Sequence, residues 1–334
     1  MKPVEMQSDK APVFVVGSGR SGTTWVLDAI AEANGMNIIF EPMHPILGAT
    51  TTRFANRYLT AADSEPELSR FMGEIVSGRH PGFWTRYRER PERLYPSLVA
   101  FRSVSGLKHW LKRWQYVLQH HQRFKPRAGR PLIVKFIRVN LMLEWLKASF
   151  PCRILYVLRH PLAVVESKLR LGGEDWEHQA LLKSYFDDPR LQSDVTVDWA
   201  EVRRASAASV VGANSAIWCI ENVVPLSQAA KLGLVTTFYE DLIGPDGLTE
   251  WRRIIGDLGL SNIPSAEYLR LPSQQASHET RKRLAEESLG GLGDVRRRLG
   301  EVKVAEISDM LRRFNLRVYD AYQDRPVGLS SQDF

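Results

Sequence analysis

Cysteine is nearly absent from this chain, with Cys152 and Cys219 the whole complement in 334 residues. Both fall in apolar stretches, so the sequence predicts two buried thiols, no disulfide framework and a reducing cytoplasm as the setting. Long apolar runs are missing too. None approaches the ~20 residues needed to span a bilayer, and the polar first dozen residues hold no signal-peptide core. Neither an integral membrane segment nor a secretory leader is expected. Internal repeats and low-complexity tracts are also lacking.

Acidic residues vanish between Arg93 and Leu143, although the chain as a whole is only mildly basic, with 45 Lys and Arg against 38 Asp and Glu. Within that window Leu107, Trp110, Leu111, Trp114, Val117 and Leu118 recur at three- and four-residue steps, which predicts a helix with one apolar face. Lys108 and Lys112 lie on its other side. The pattern fits a solvated surface helix, an approach field for an anionic ligand or acidic glycan, or a face resting on anionic membrane.

One further absence narrows the chemistry. The apolar run Val13 to Val16 reads as a buried strand, and Trp25 to Ala33 as an amphipathic helix. Between them lies Gly17-Ser18-Gly19-Arg20-Ser21-Gly22-Thr23-Thr24. Glycines let a backbone approach an anion closely, and the N–H groups and dipole of the following helix hold it. Gly17 and Gly22 have the interval of a Walker A loop, but Thr23 occupies the lysine slot and the cation sits back at Arg20. A nucleoside triphosphatase needs that lysine, with magnesium on the next hydroxyl. This loop suits a terminal anion held without metal.

A second turn follows the apolar strand Arg153-Ile154-Leu155-Tyr156-Val157-Leu158. Arg159 stands at the strand's carboxyl end, Pro161 where a helix can begin, and Ser167 two turns into that helix. Together, R-S-G-T-T-W and this Arg159/Ser167 pair resemble the two phosphate motifs of sulfotransferases that use 3′-phosphoadenosine-5′-phosphosulfate (PAPS). The resemblance is closer to the carbohydrate and bacterial type than to the cytosolic phenol and steroid type. It implies that Gly19, Arg20, Ser21, Gly22, Thr23 and Thr24 hold the 5′-phosphosulfate, and that Arg159 and Ser167 grip the 3′-phosphate.

Smaller matches extend the resemblance. Lys135, in the apolar run Leu132 to Ile137, is similar to the family's central lysine, which approaches the sulfuryl group. Tyr239-Glu240-Asp241-Leu242 resembles a strand end whose tyrosine lies near adenine. Trp25 matches an indole that stacks on adenine, or else simply packs its helix on the sheet. Phe40-Glu41-Pro42 is similar to the "FEP" of carbohydrate sulfotransferases, which makes Glu41 the expected general base and His44 its substitute. Arg281 and Lys282 stand where relatives present a basic loop over the 3′-phosphate.

The expected architecture is a three-layer α/β/α fold with a central parallel sheet, like P-loop nucleoside triphosphate hydrolases, in one domain over 1–334 (core about 11–325). An acceptor-shaping insertion is expected at about 43–129. A helix is predicted from Ala205 to Ala230, with Asn214, Trp218 and Asn222 on one face, and a terminal helix pair from Val295 to Tyr322. The resemblance implies sulfuryl transfer from PAPS, as co-substrate and without metal, to a hydroxyl or amine of a glycan or small-molecule acceptor, with no nucleic-acid partner. A phosphoryl-transfer enzyme and a non-catalytic polyanion-binding protein stay open as alternatives.

Overall fold

A computed structural model describes residues 11–79, 129–170, 178–269 and 291–328. The predicted basic helix around Trp110 and Trp114, most of the acceptor-shaping insertion, and Arg281 and Lys282 lie outside the described residues.

Five short strands, β1 (Val13–Val16), β2 (Asn37–Phe40), β3 (Leu132–Phe136), β4 (Arg153–Leu158) and β5 (Val235–Phe238), form one sheet in the order β2-β3-β1-β4-β5. Every pairing is parallel. Strands buried on both faces need not alternate polar and apolar residues, which is why the central strands β1, β3 and β4 read as nearly continuous apolar runs.

The two-residue period of a strand sorts these side chains into layers. Val13, Val15, Ile133, Leu155 and Val157 face α1 (Thr23–Asn34) and α5 (Gly247–Asp257), meeting Leu27, Ile30, Trp251 and Ile254. Phe14, Val16, Val134, Phe136 and Tyr156 face the opposite side, against Ile217 and Trp218 of α4 (Val210–Leu232) and Met310 and Leu311 of α7 (Glu301–Arg313). Each fully buried Val, Leu, Ile or Phe contributes roughly 1.5–3 kcal/mol. The expected three-layer α/β/α arrangement is thus observed. A smaller cluster joins α2 (Pro161–Arg170) to α6 (Leu292–Leu299) and α7 through Leu162, Val165, Val295, Leu299 and Ile307.

Two predicted helices differ from expectation. The run from Ala205 to Ala230 is split at Ser209, between α3 (Trp199–Ala208) and α4. Ser209 is extended, and its hydroxyl accepts the Gly212 N–H as an N-cap, so apolar periodicity runs through a break that backbone capping creates. The C-terminal pair is present, but α7 ends at Arg313, short of Tyr322. Ile307, Leu311, Phe314 and Val318 are nevertheless all buried, the last two from beyond the helix.

The strand order places β1 centrally, with β3 on one side and β4 on the other. The chain after β1 leads to one half of the sheet, and after β3 it crosses to the other. Open α/β sheets bind ligands at the carboxyl ends of their strands near such a reversal. The turns after β1, β2, β3, β4 and β5 all open there.

Candidate active site

The turn after β1 is built for close approach. A side chain at Gly17 would place its Cβ 2.4 Å from the Val157 carbonyl oxygen, and one at Gly22 would place it 2.4 Å from the Tyr239 ring. Gly22 also has φ 82°, the left-handed conformation, as N-cap of α1. Arg20, not a glycine, adopts φ 76° as well. The Ser21 N–H donates to the Ser18 carbonyl at 3.1 Å, which folds the turn on itself. Helix α1 begins with no side-chain cap and no acidic residue in its first turn, so no carboxylate of that turn offsets the helix's positive dipole end. Ser21 is fully buried, and among the described residues its Oγ has no hydrogen-bond partner.

The two turns expected to bind anions meet. Arg20 Nε donates to Ser167 Oγ at 2.9 Å across 147 residues, and Arg159 Nη1 donates to the Arg20 carbonyl at 3.0 Å. The Arg159 guanidinium lies 4.7 Å over the Tyr239 ring, and its buried Nε has no hydrogen-bond partner among the described residues. Two guanidinium groups and the start of α1 therefore converge on one place. Ser167 takes its hydrogen bond from Arg20, and so joins the first motif to the helix of the second.

Trp25 and Tyr239 pack against each other edge to face, with ring centroids 5.7 Å apart, and Trp25 meets Trp251 in the same way at 5.6 Å. Trp25 is only 6% exposed. The residue after Tyr239 ties the β4 and β5 turns to the C-terminal segment. Glu240 accepts from the His160 N–H at 3.0 Å and from the Tyr319 hydroxyl at 2.8 Å. His160 is buried and capped. Its Nδ1 accepts from the Leu162 N–H, which leaves the proton on Nε2 to meet the Asp320 carbonyl. Burial lowers its pKa to about 4.

The carboxylate of the site lies after β2. Glu41 adopts φ 48° and donates its N–H to the Lys135 carbonyl. Its Oε1 pairs with Lys135 Nζ at 2.5 Å and its Oε2 with Arg138 Nη1 at 3.3 Å. Glu41 and Lys135 are both buried, and Lys135 Nζ also sits 4.4 Å from the Phe40 ring centre. Burial pushes the Lys135 pKa down, opposed by Glu41 and reinforced by Arg138 and Arg20. His44 is close by, and its N–H donates to the Glu41 carbonyl at 3.1 Å. Its pKa falls to about 3, through burial first and then the charges of Arg138 and Lys135. Such an imidazole stays neutral near pH 7 and is a weak proton acceptor.

Several residues here carried no role in the sequence reading. Arg138 is the second cation on Glu41 and comes from the turn after β3. Lys168 and Glu221 are both buried and feel each other's charge, with Ser18 of the β1 turn hydrogen-bonded to Glu221 and the Tyr185 hydroxyl 3.4 Å from Glu221 Oε1. Burial lowers the Lys168 pKa and raises that of Glu221, and each charge offsets the other's shift. The only signal in the sequence for this layer was the Asn214, Trp218 and Asn222 stripe.

No protein-family model and no curated protein matches this chain. Solved structures do show a likeness. Mouse sulfotransferase SULT7A1 complexed with PAP aligns at 14% identity over 93% of this chain and 86% of its own, with a TM-score of 0.41. The sulfotransferase domain from the curacin biosynthetic pathway aligns at 14% identity over 90% of this chain and 97% of its own, with a TM-score of 0.40. Retinol dehydratase in complex with androsterone and the inactive cofactor PAP aligns at 14% over 84% of this chain and 64% of its own, with a TM-score of 0.26. Among the described residues no helix is long and apolar enough to cross a membrane.

Proposed function

We propose that this protein is a sulfotransferase that moves a sulfuryl group from PAPS to an acceptor hydroxyl or amine. The observation that carries the reading is the Arg20–Ser167 hydrogen bond, which brings two anion-binding turns, far apart in sequence, to one end of the sheet. A nucleotide with anionic groups on both its 5′ and 3′ positions needs two such turns; a nucleoside triphosphate, with one linear chain of phosphates, needs one.

The residues present fit such a ligand. Ser21 Oγ and Arg159 Nε are buried donors without hydrogen-bond partners among the described residues. Ser21, the first N–H groups of α1 and Arg20 would hold the 5′ end, and Arg159 the 3′-phosphate. When bound, PAPS supplies an activated sulfuryl group on a phosphate leaving group. Arg20 and Lys135 would then offset negative charge growing at the leaving oxygen, each such contact typically worth ~10²–10³ in rate. Glu41 takes the acceptor proton as the new sulfur–oxygen bond forms, and its ion pairs with Lys135 and Arg138 hold the carboxylate in position. His44, neutral and weakly basic, is the poorer candidate.

The acceptor is a carbohydrate or a small hydroxylated natural product on this reading, supported by Phe40-Glu41-Pro42 and by the aromatic, basic composition of 43–129. Calorimetry tests the donor: adenosine 3′,5′-bisphosphate should bind at micromolar concentrations and ATP with magnesium should not. The reverse result overturns the proposal. Transfer of labelled sulfate to a panel of glycans, phenols and amines then identifies the acceptor class.

A further inference from the structure

Helix α4 passes under both anion-binding turns and holds each by a different side chain. Trp218 Nε1 donates to the Arg159 carbonyl at 3.2 Å. Asn222, four residues later, donates from Nδ2 to Ser18 Oγ at 3.0 Å and to the Trp218 carbonyl at 2.6 Å. With the amide nitrogen so committed, Asn222 Oδ1 faces the Tyr156 hydroxyl, 2.9 Å away. The same hydroxyl lies 2.9 Å from the Glu221 carbonyl. That carbonyl is open because Pro225 sits inside the helix and has no N–H to return to it. Tyr156 is three residues before Arg159 on β4, so its contact pins the strand that carries the second turn.

Trp218, Asn222, Ser18 and Tyr156 are all fully buried. None lies among the groups assigned above to an anion. Their shared property is geometric: two grips four residues apart, about 6 Å along one helix, one on each turn. A site that reads two anionic groups at once gains most when their spacing is set in advance, because the second group then binds intramolecularly and at little ordering cost.

We propose that Trp218 and Asn222 are positioning residues that set the separation of the Ser18–Gly22 and Arg159 turns. They thereby favour a nucleotide carrying both anionic groups over one carrying either alone. This inference rests on the functional reading above. It predicts a selective defect. Loosening either grip leaves each turn able to bind its own phosphate but removes the advantage of binding both.

The test is calorimetry of the full chain with adenosine 3′,5′-bisphosphate, adenosine 5′-monophosphate and adenosine 3′-monophosphate, for wild type, Trp218→Phe and Asn222→Ala. Trp218→Phe keeps an aromatic ring in the core and deletes one hydrogen bond, so it remains decisive should Asn222→Ala fail to fold. Each folded variant should lose ~3–10-fold in bisphosphate affinity, the usual net worth of one hydrogen bond, with the monophosphates changed by less than about twofold. Bisphosphate affinity unchanged in the folded variants overturns the inference, as does an equal loss for all three ligands. Wild-type protein that binds none of the three overturns the functional reading itself.

Discussion

Removing the Tyr156 hydroxyl isolates one atom's contribution to the frame of the site. The oxygen is buried, 2.9 Å from both the Glu221 carbonyl and Asn222 Oδ1. Tyr156→Phe leaves the ring in place and strands these acceptors. A buried polar group without a partner costs about 1–3 kcal/mol. One hydroxyl proton serves both acceptors, so the total should be about 2 kcal/mol, read as a shift in the urea unfolding midpoint. A second background sharpens the test. Pro225→Ala restores an N–H that can return to the Glu221 carbonyl, the bond that proline removes. In that background Tyr156→Phe strands only Asn222 Oδ1 and should cost about half as much, ~1 kcal/mol. The double-mutant cycle therefore carries a coupling near 1 kcal/mol, above the ~0.3–0.5 kcal/mol expected of independent sites. Equal costs in the two backgrounds would refute the claim that Tyr156 replaces the missing helix bond.

Three further perturbations probe the site. Gly22→Ala puts a Cβ against the Tyr239 ring at φ 82°; strain and overpacking together should lower stability by about 2–4 kcal/mol and weaken bisphosphate binding, and a variant with wild-type melting and affinity would contradict the geometry. Glu41→Gln should lower the transfer rate ~10²–10⁴-fold with bisphosphate affinity retained, whereas His44→Ala should leave the pH–rate profile in place; the converse pattern would move the base to His44. His44 and His160 have folded pKa values of about 3 and about 4, below the ordinary value of 6.5. The unfolded chain therefore binds more protons below pH 6.5, and stability falls with pH from there down through the folded values. Each histidine should account for roughly 2.5 kcal/mol of loss at pH 4.5, and His160→Asn, which can still cap α2, should flatten its share of a stability–pH curve.

Particular residues explain which parts were legible in the sequence. The β1 turn and the Arg159 turn were visible because glycine, proline and apolar runs act locally, and each marks its own strand–turn–helix. Four of the strands could be read for the same reason, being largely apolar runs bounded by turn residues, while β5, Val-Thr-Thr-Phe, was marked by the Tyr239-Glu240-Asp241-Leu242 that follows it. The break at Ser209 was hidden, since an N-cap serine within an apolar period resembles an ordinary polar face. Arg138 was present only as one charge among many in a basic window, and nothing in its spacing marked it as a partner of Glu41, 97 residues away. The pair of Lys168 and Glu221 was equally silent, because charges on helices normally read as solvated.

By itself the sequence marked two candidate anion-binding turns: a glycine turn without a Walker lysine, a cation moved back to Arg20, and an arginine–serine pair two helical turns apart. Those features depend on backbone freedom and residue type within a dozen positions. Only the tertiary structure decided how they combine. The parallel order β2-β3-β1-β4-β5 brings Arg20 onto Ser167 and Lys135 onto Glu41, and α4 ties the two turns together through Trp218 and Asn222. Side-chain contacts across a sheet follow from strand order and register, which long-range packing selects and no local pattern encodes.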